Sequence, residues 1–112
     1  MDLIAPESYR LASQADRAAV VNGCGPGGWR VDLIPDHLCG LCITEPCNIH
    51  DWMYGEGGDE TKRLEDDITL LLNILITVLE HGGPLEPLRL AGAVIFYRSV
   101  RECGAAFFGG GK

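Results

Sequence analysis

Basic residues are scarce in this sequence. Only nine of its 112 residues are Lys or Arg, against sixteen Asp or Glu, so the formal net charge is −7. A protein that binds nucleic acid contacts the phosphates through clustered cations, whereas the few cations here are scattered along the chain. The composition therefore argues against nucleic acid as the main partner.

Long apolar runs are also absent. The longest, residues 68–79, is interrupted by Thr69, Asn73 and Thr77, and a membrane-spanning helix needs about 20 apolar residues. We therefore expect no transmembrane segment and interpret this run as a buried helix. Residues 1–7 lack the basic start and apolar core of a signal peptide, so we expect either an intracellular protein or a processed form of a secreted one.

Glycine, in contrast, is abundant and clustered. Of the fifteen Gly residues, twelve lie at 23–28, 55–58, 82–83 and 109–111. Such clusters mark turns and places where the backbone approaches another group closely. With 46% hydrophobic and 22% charged residues and no internal repeat or linker, the chain is predicted to form one compact domain over residues 1–112.

The segments between the glycine clusters predict an all-α domain. We expect helices over about residues 6–21, 45–55, 59–81 and 85–103, an irregular segment at 29–45 and a loose tail at 107–112. The first helix has only a weak apolar stripe, formed by Leu11, Ala15, Ala18 and Ala19. The second and third helices are joined by a short Gly-rich loop, so they should pack as antiparallel neighbours.

One carboxylate lies within the apolar face expected for the third helix. Apolar residues recur there at spacings of three and four, namely Leu64, Ile68, Leu71, Ile74, Leu75 and Val78. Asp67 falls inside this stripe, while Asp66 is expected to be solvated. A carboxylate in a core is costly unless a partner satisfies it, and His50 on the neighbouring helix is the best candidate. Such a contact leaves the other imidazole nitrogen available as a base.

An alternative for Asp67 is purely structural. It could bind a buried water or pair with an arginine, because structural networks also bury carboxylates.

Asp51 must face a different neighbour from His50, because consecutive helical residues point about 100° apart. The glycine-rich segment 22–28 could supply that neighbour. Backbone carbonyls and a carboxylate are hard oxygen ligands suited to calcium, so Asp51 and this segment are a candidate calcium site.

Residues 47–54 read Cys-Asn-Ile-His-Asp-Trp-Met-Tyr and match the pattern Cys-x-x-His-Asp-x-x-Tyr, which resembles the active-site helix of the secreted phospholipases A2. Residues 24–28, Cys-Gly-Pro-Gly-Gly, resemble the calcium loop of that family, Cys-Gly-x-Gly-Gly. The motifs occur in the family's order, and the resemblance covers about residues 22–75. Because the long insertion of the animal enzymes is missing, the chain is most similar to compact bacterial, fungal and phage-type members.

The resemblance implies a small helical phospholipase domain with two antiparallel core helices. It also implies calcium-dependent hydrolysis of the sn-2 acyl ester of glycerophospholipids at a membrane or micelle surface. In that reaction His50 is the general base, Asp67 orients His50, and Tyr54 donates a hydrogen bond to Asp67.

The resemblance assigns calcium to the carboxylate of Asp51 and the backbone carbonyls of Gly23, Gly25 and Gly27. The backbone amide of Gly25 would help to stabilise the oxyanion. It also implies a disulfide between Cys24 and Cys47, which would join the calcium loop to the active-site helix.

The sequence departs from the family in its other cysteines. Pro46 stands where a cysteine usually precedes the active-site motif, and Met53 stands where one is common. Two further hypotheses therefore remain. One is a catalytically silent calcium- or lipid-binding module. The other is a zinc or redox module that uses four cysteines, namely Cys39, Cys42, Cys47 and Cys103.

Overall fold

The computed structural model describes residues 2–20, 37–38 and 40–108, and this part of the chain is mostly helical. Its elements are α1 (Glu7–Leu11), α2 (Gln14–Val20), β1 (His37–Leu38), β2 (Leu41–Cys42), α3 (Thr44–Glu56), α4 (Glu60–His81), α5 (Glu86–Cys103) and a 3₁₀ turn (Gly104–Phe107). The prediction of an all-α protein is confirmed at this level. The glycine-rich segment 22–28 lies outside the described residues.

The ends of the three long helices agree with the sequence prediction to within one residue. Asp59 caps α4, because its side chain accepts a hydrogen bond from the backbone N–H of Lys62 at 2.9 Å. Gly57 and Gly82 end α3 and α4 at φ angles of 71° and 65°. This left-handed region is one that glycine adopts without steric cost.

The N-terminal region differs from its prediction, because residues 6–21 do not form one helix. Ala12 is extended and separates α1 from α2, and the hydroxyl of Ser13 accepts a hydrogen bond from the N–H of Asp16 at 3.0 Å. A serine side chain that bonds to nearby backbone competes with helix continuation in this way. The predicted apolar stripe is also wrong, since Leu11 is 77% exposed and its three alanines are exposed as well.

The core forms where α4 packs against both α3 and α5. Its buried hydrophobic members come from all three helices and the residue before α3: Ile43, Cys47, Tyr54, Leu70, Ile74, Val78, Ala93, Phe96 and Val100. The short hairpin of β1 and β2 precedes α3, within a segment predicted to be irregular. Within the described ranges, every helix is too short or too polar to cross a lipid bilayer.

The buried face of α4 agrees only in part with the one that apolar spacing predicts, since Asp67, Ile74 and Val78 are buried as expected but other members are not. Leu64 and Ile68 are 38% and 39% exposed, and Leu72 and Leu79 also face outward. The buried positions are Arg63, Asp66, Asp67, Leu70, Asn73, Ile74 and Val78. Four of these seven side chains are polar, and a pattern based on hydrophobicity assigns all of them except Asp67 to the surface. Among the polar members, Asp67 meets partners on both α3 and α5, and those contacts define the candidate site.

Candidate active site

His50 and Asp67 meet in the buried space between α3 and α4. The His50 Nε2 atom lies 2.8 Å from Asp67 Oδ1, as the antiparallel arrangement predicted. Since a carboxylate accepts hydrogen bonds, the proton of the neutral imidazole lies on Nε2 and the lone pair on Nδ1. Within the described part of the chain no hydrogen bond reaches Nδ1. Nδ1 of His50, the ring nitrogen that does not contact Asp67, can therefore accept a proton.

Tyr54 reinforces this pair from one turn further along α3. Its hydroxyl donates to Asp67 Oδ1 at 2.6 Å, which is the contact predicted for it. The Tyr54 and His50 rings are in contact, with centroids 4.1 Å apart and planes inclined at 43°. Burial, together with the hydrogen bond to Asp67, raises the pKa of the Tyr54 phenol above its ordinary value. Tyr54 therefore stays protonated at neutral pH and remains a donor.

The 3₁₀ turn that follows α5, and the residue after it, pack against Tyr54. A Cβ atom at Gly104 would lie only 2.6 Å from the Tyr54 hydroxyl oxygen, so glycine at this position allows the close approach. Phe108, which was expected in a loose tail, packs edge-on against the Tyr54 ring at 5.3 Å. No local sequence pattern predicts either contact, because Gly104 and Phe108 lie about fifty positions after Tyr54 and belong to neither motif.

The second oxygen of Asp67 binds arginine. Arg101 Nη1 donates to Asp67 Oδ2 at 2.7 Å, and Arg63 Nη1 lies 3.6 Å from the same oxygen. Both arginines also contact Glu60 at the start of α4. The histidine contact and the arginine pairing, which the sequence presented as alternatives, therefore occur together. The i, i+4 spacing of Arg63 and Asp67 could have signalled one of the arginines, but nothing local signals Arg101.

These contacts keep Asp67 ionised. Burial by itself raises the pKa of the Asp67 carboxyl, but the hydrogen bonds from His50, Tyr54 and Arg101 more than offset that effect. The net result is a pKa below the ordinary value for aspartate. At neutral pH the carboxylate can therefore stabilise a positive charge that develops on His50.

Asp66 corrects a sequence expectation, since it is fully buried rather than solvated. Its Oδ1 accepts a hydrogen bond from Lys62 Nζ at 2.7 Å, and the same ammonium donates to the Met53 carbonyl at 3.3 Å. Asp66 Oδ2 has no hydrogen-bond partner in the described residues. Burial raises the pKa of this carboxyl and the Lys62 ammonium opposes the shift, with a raised pKa as the result. The expectation failed because α3 covers this side of α4.

Asp51 directly follows His50 on α3, is partly buried, and takes no part in the contacts of Asp67. Its carboxylate oxygens are suited to a hard cation such as calcium. The other predicted ligands, Gly23, Gly25 and Gly27, lie outside the described residues, so the calcium site stays a prediction. Where the structure describes the chain, no three His, Cys, Asp or Glu side chains gather to hold a metal.

The cysteine predictions can be followed only in part. Cys47 is buried in the first turn of α3 and is not among the free cysteines, whereas the exposed Cys103 carries a free thiol. Cys24 and Cys39 lie outside the described residues. The predicted Cys24–Cys47 disulfide and the four-cysteine module therefore both stay predictions.

A scan of protein-family models and searches of curated proteins and of solved structures gave no match for this chain. Functional interpretation therefore depends on the two sequence motifs and on the geometry of the site around His50, Tyr54 and Asp67.

Proposed function

We propose that this protein is a calcium-dependent ester hydrolase of the phospholipase A2 type. The observation that carries the proposal is the buried contact between His50 Nε2 and Asp67 Oδ1 at 2.8 Å. Tyr54 donates to the same oxygen, and His50 Nδ1 accepts no hydrogen bond from the described residues. Glycerophospholipid as substrate, and its sn-2 ester as the bond that is cleaved, come from the resemblance of the two motifs.

His50 performs the proton transfers in the proposed reaction. Nδ1 takes a proton from a water molecule as the water oxygen attacks the ester carbonyl carbon. Asp67 stabilises the resulting imidazolium through Nε2, while Tyr54 holds the Asp67 carboxylate. The tetrahedral intermediate then expels the glycerol oxygen, which receives the proton from Nδ1. The products are a fatty acid and a lysophospholipid.

The oxygen donors proposed for calcium fit that ion chemically. They are the Asp51 carboxylate and the backbone carbonyls of Gly23, Gly25 and Gly27. When bound, calcium would supply positive charge for the developing oxyanion, together with the amide of Gly25. A Cys24–Cys47 disulfide would tie this glycine-rich segment to the first turn of α3.

The proposal is tested by ester hydrolysis on mixed phosphatidylcholine and phosphatidylglycerol vesicles, with calcium or with excess chelator. Wild type should release fatty acid only when calcium is present. His50→Gln retains a polar side chain of similar length but removes the base, and we expect kcat to fall about 10²- to 10⁴-fold. His81→Gln is the matched control, because His81 is exposed at the end of α4 and should leave kcat unchanged.

Three other outcomes would contradict the proposal. A folded protein that binds calcium without hydrolysing any phospholipid would favour the catalytically silent module. Zinc in the purified protein, without calcium binding, would favour the cysteine module. Full activity in His50→Gln would remove His50 from the mechanism.

A further inference from the structure

We propose that Arg101 is a positioning residue for the His50–Asp67 pair, and that it holds Asp67 Oδ2 so that Oδ1 stays turned toward His50. This inference rests on the proposed function and extends it to a residue of α5. Neither of the two motifs contains Arg101, which lies 34 residues after Asp67 in the sequence.

The two oxygens of Asp67 are divided between different elements. Oδ1 accepts from His50 and Tyr54 of α3, at 2.8 and 2.6 Å. Oδ2 accepts from Arg101 Nη1 of α5, at 2.7 Å. The χ2 torsion of an aspartate side chain has a broad distribution, so by itself it restrains the orientation of the carboxylate only weakly. A strong contact on each oxygen therefore resists rotation of the carboxylate away from His50.

Arg101 is itself held in place, as a positioning residue must be. Its Nη2 atom donates to Glu60 Oε1 at 3.1 Å, so one planar guanidinium bridges two carboxylates. Its backbone carbonyl accepts a hydrogen bond from Arg63 Nη1 at 3.4 Å. The side chain is only 25% exposed, so water has limited access to replace its hydrogen bonds to the two carboxylates.

Arg63 does not duplicate this role. Its closest approach to Asp67 Oδ2 is 3.6 Å, which is longer than a hydrogen bond. Its other donors, Nε and Nη2, are directed to Glu60 at 2.8 to 3.1 Å. If Arg101 is lost, Asp67 Oδ2 retains a nearby positive charge but no charge-assisted hydrogen bond.

The first test compares kcat and KM on phospholipid vesicles for Arg101→Gln, Arg101→Lys and the control Arg98→Gln. Arg98 is exposed on the same helix. We expect Arg101→Gln to lower kcat about 10- to 100-fold, because a small misplacement of catalytic groups has effects of this size. KM should stay within about twofold of wild type. Arg101→Lys should recover part of kcat, and Arg98→Gln should match wild type.

The second test needs no activity. Proton NMR of the wild type should show a downfield, slowly exchanging signal from the His50 Nε2 proton that is bonded to Asp67. We expect this signal to persist in Arg98→Gln and to weaken or exchange faster in Arg101→Gln. Circular dichroism and thermal unfolding establish that each variant is folded before either readout is compared.

A folded Arg101→Gln variant whose ring-proton signal matches wild type would overturn the inference, whatever its kcat. If Arg101→Gln does not fold, the inference is tested with Arg101→Lys. This variant keeps a positive charge but lacks the guanidinium that bridges Asp67 and Glu60. A ring-proton signal and a kcat identical to wild type in Arg101→Lys would then overturn it. A signal that responds to Arg101 in a protein without hydrolytic activity would support the positioning role and refute only the proposed function.

Discussion

Asp66 and Asp67 are neighbours in α4 and are both fully buried, but their surroundings differ. Asp67 receives donors on both oxygens from two other helices. Asp66 receives Lys62 on one oxygen, and its other oxygen has no partner in the described residues. As a result the pKa of Asp67 is lowered while that of Asp66 is raised. One ionised carboxylate therefore stabilises the fold and the other destabilises it.

This difference predicts unequal effects of two matched substitutions at pH 7. Asp67→Asn should lower the free energy of unfolding by about 3 kcal/mol, because it leaves the charge of Arg101 without its buried partner. Asp66→Asn should change it by about 1 kcal/mol or less, because the loss of the Lys62 pair is offset by removal of a buried charge. Urea denaturation of the two variants measures both values. Equal losses would contradict the assignment of opposite roles.

Acidification should change the contributions of Asp66 and Asp67 to folding stability in opposite directions. Asp67 has a lowered folded-state pKa, so its contribution is present above the unfolded value of about 3.9 and is lost as the pH falls through the folded value. Asp66 has a raised pKa, so its penalty is present at neutral pH and is relieved as the pH falls through that value. Asp66→Asn should therefore become more destabilising, relative to wild type, between pH 7 and pH 4.5. Urea denaturation at the two pH values checks the sign.

At the scale of the elements, the helix boundaries depend on residues within one turn. Asp59 caps α4 through its side chain, and Gly82 ends α4 with a positive φ angle. In the same way Ser13 caps the start of α2, and this cap divides a segment that apolar spacing alone predicts as one helix. Local hydrogen bonding therefore determines where these helices begin and end.

The cap at Asp59 can be tested directly. Asp59→Ala removes the acceptor for the Lys62 N–H, and we expect the free energy of unfolding to fall by about 1 kcal/mol. Glu65→Ala is the control, since Glu65 is exposed within the same helix and should have little effect. Chemical denaturation measures both variants. If the two lose the same stability, Asp59 does not act as a cap.

At the scale of the whole molecule, Asn73 attaches the N-terminal segment to α4. This fully buried amide accepts from the Ile4 N–H at 2.6 Å and donates to the Ile4 carbonyl at 2.8 Å. The two residues are 69 positions apart. The helix that follows this segment, α1, contacts α3, because Trp52 Nε1 donates to the hydroxyl of Ser8 at 3.1 Å. The residues before α1 are thus part of the packed structure.

Asn73→Ala should release this attachment. Both backbone groups of Ile4 would lose their partner, so we expect the Ile4 amide to exchange with deuterium much faster. The free energy of unfolding should fall by about 1 to 3 kcal/mol. Thr69→Ala, which removes only a hydrogen bond to the Glu65 carbonyl within α4, serves as the control. Unchanged exchange at Ile4 in Asn73→Ala would show that other contacts hold the segment.

The sequence alone determined the all-α class, the ends of the long helices and the meeting of His50, Tyr54 and Asp67. Capping residues, glycines and motif spacings determine structure within a few residues of themselves. The short loop between α3 and α4 makes these two helices antiparallel neighbours. The tertiary structure alone decided which face of α4 is buried, that Asp66 is in the core, and that Arg101 and Gly104 reach the site. Arg101 and Gly104 lie 34 or more residues from Asp67 and Tyr54, which they approach, and Asp66 is buried because another helix covers it. Hydropathy describes the polarity of a side chain itself, not the packing or the partner that makes its burial tolerable.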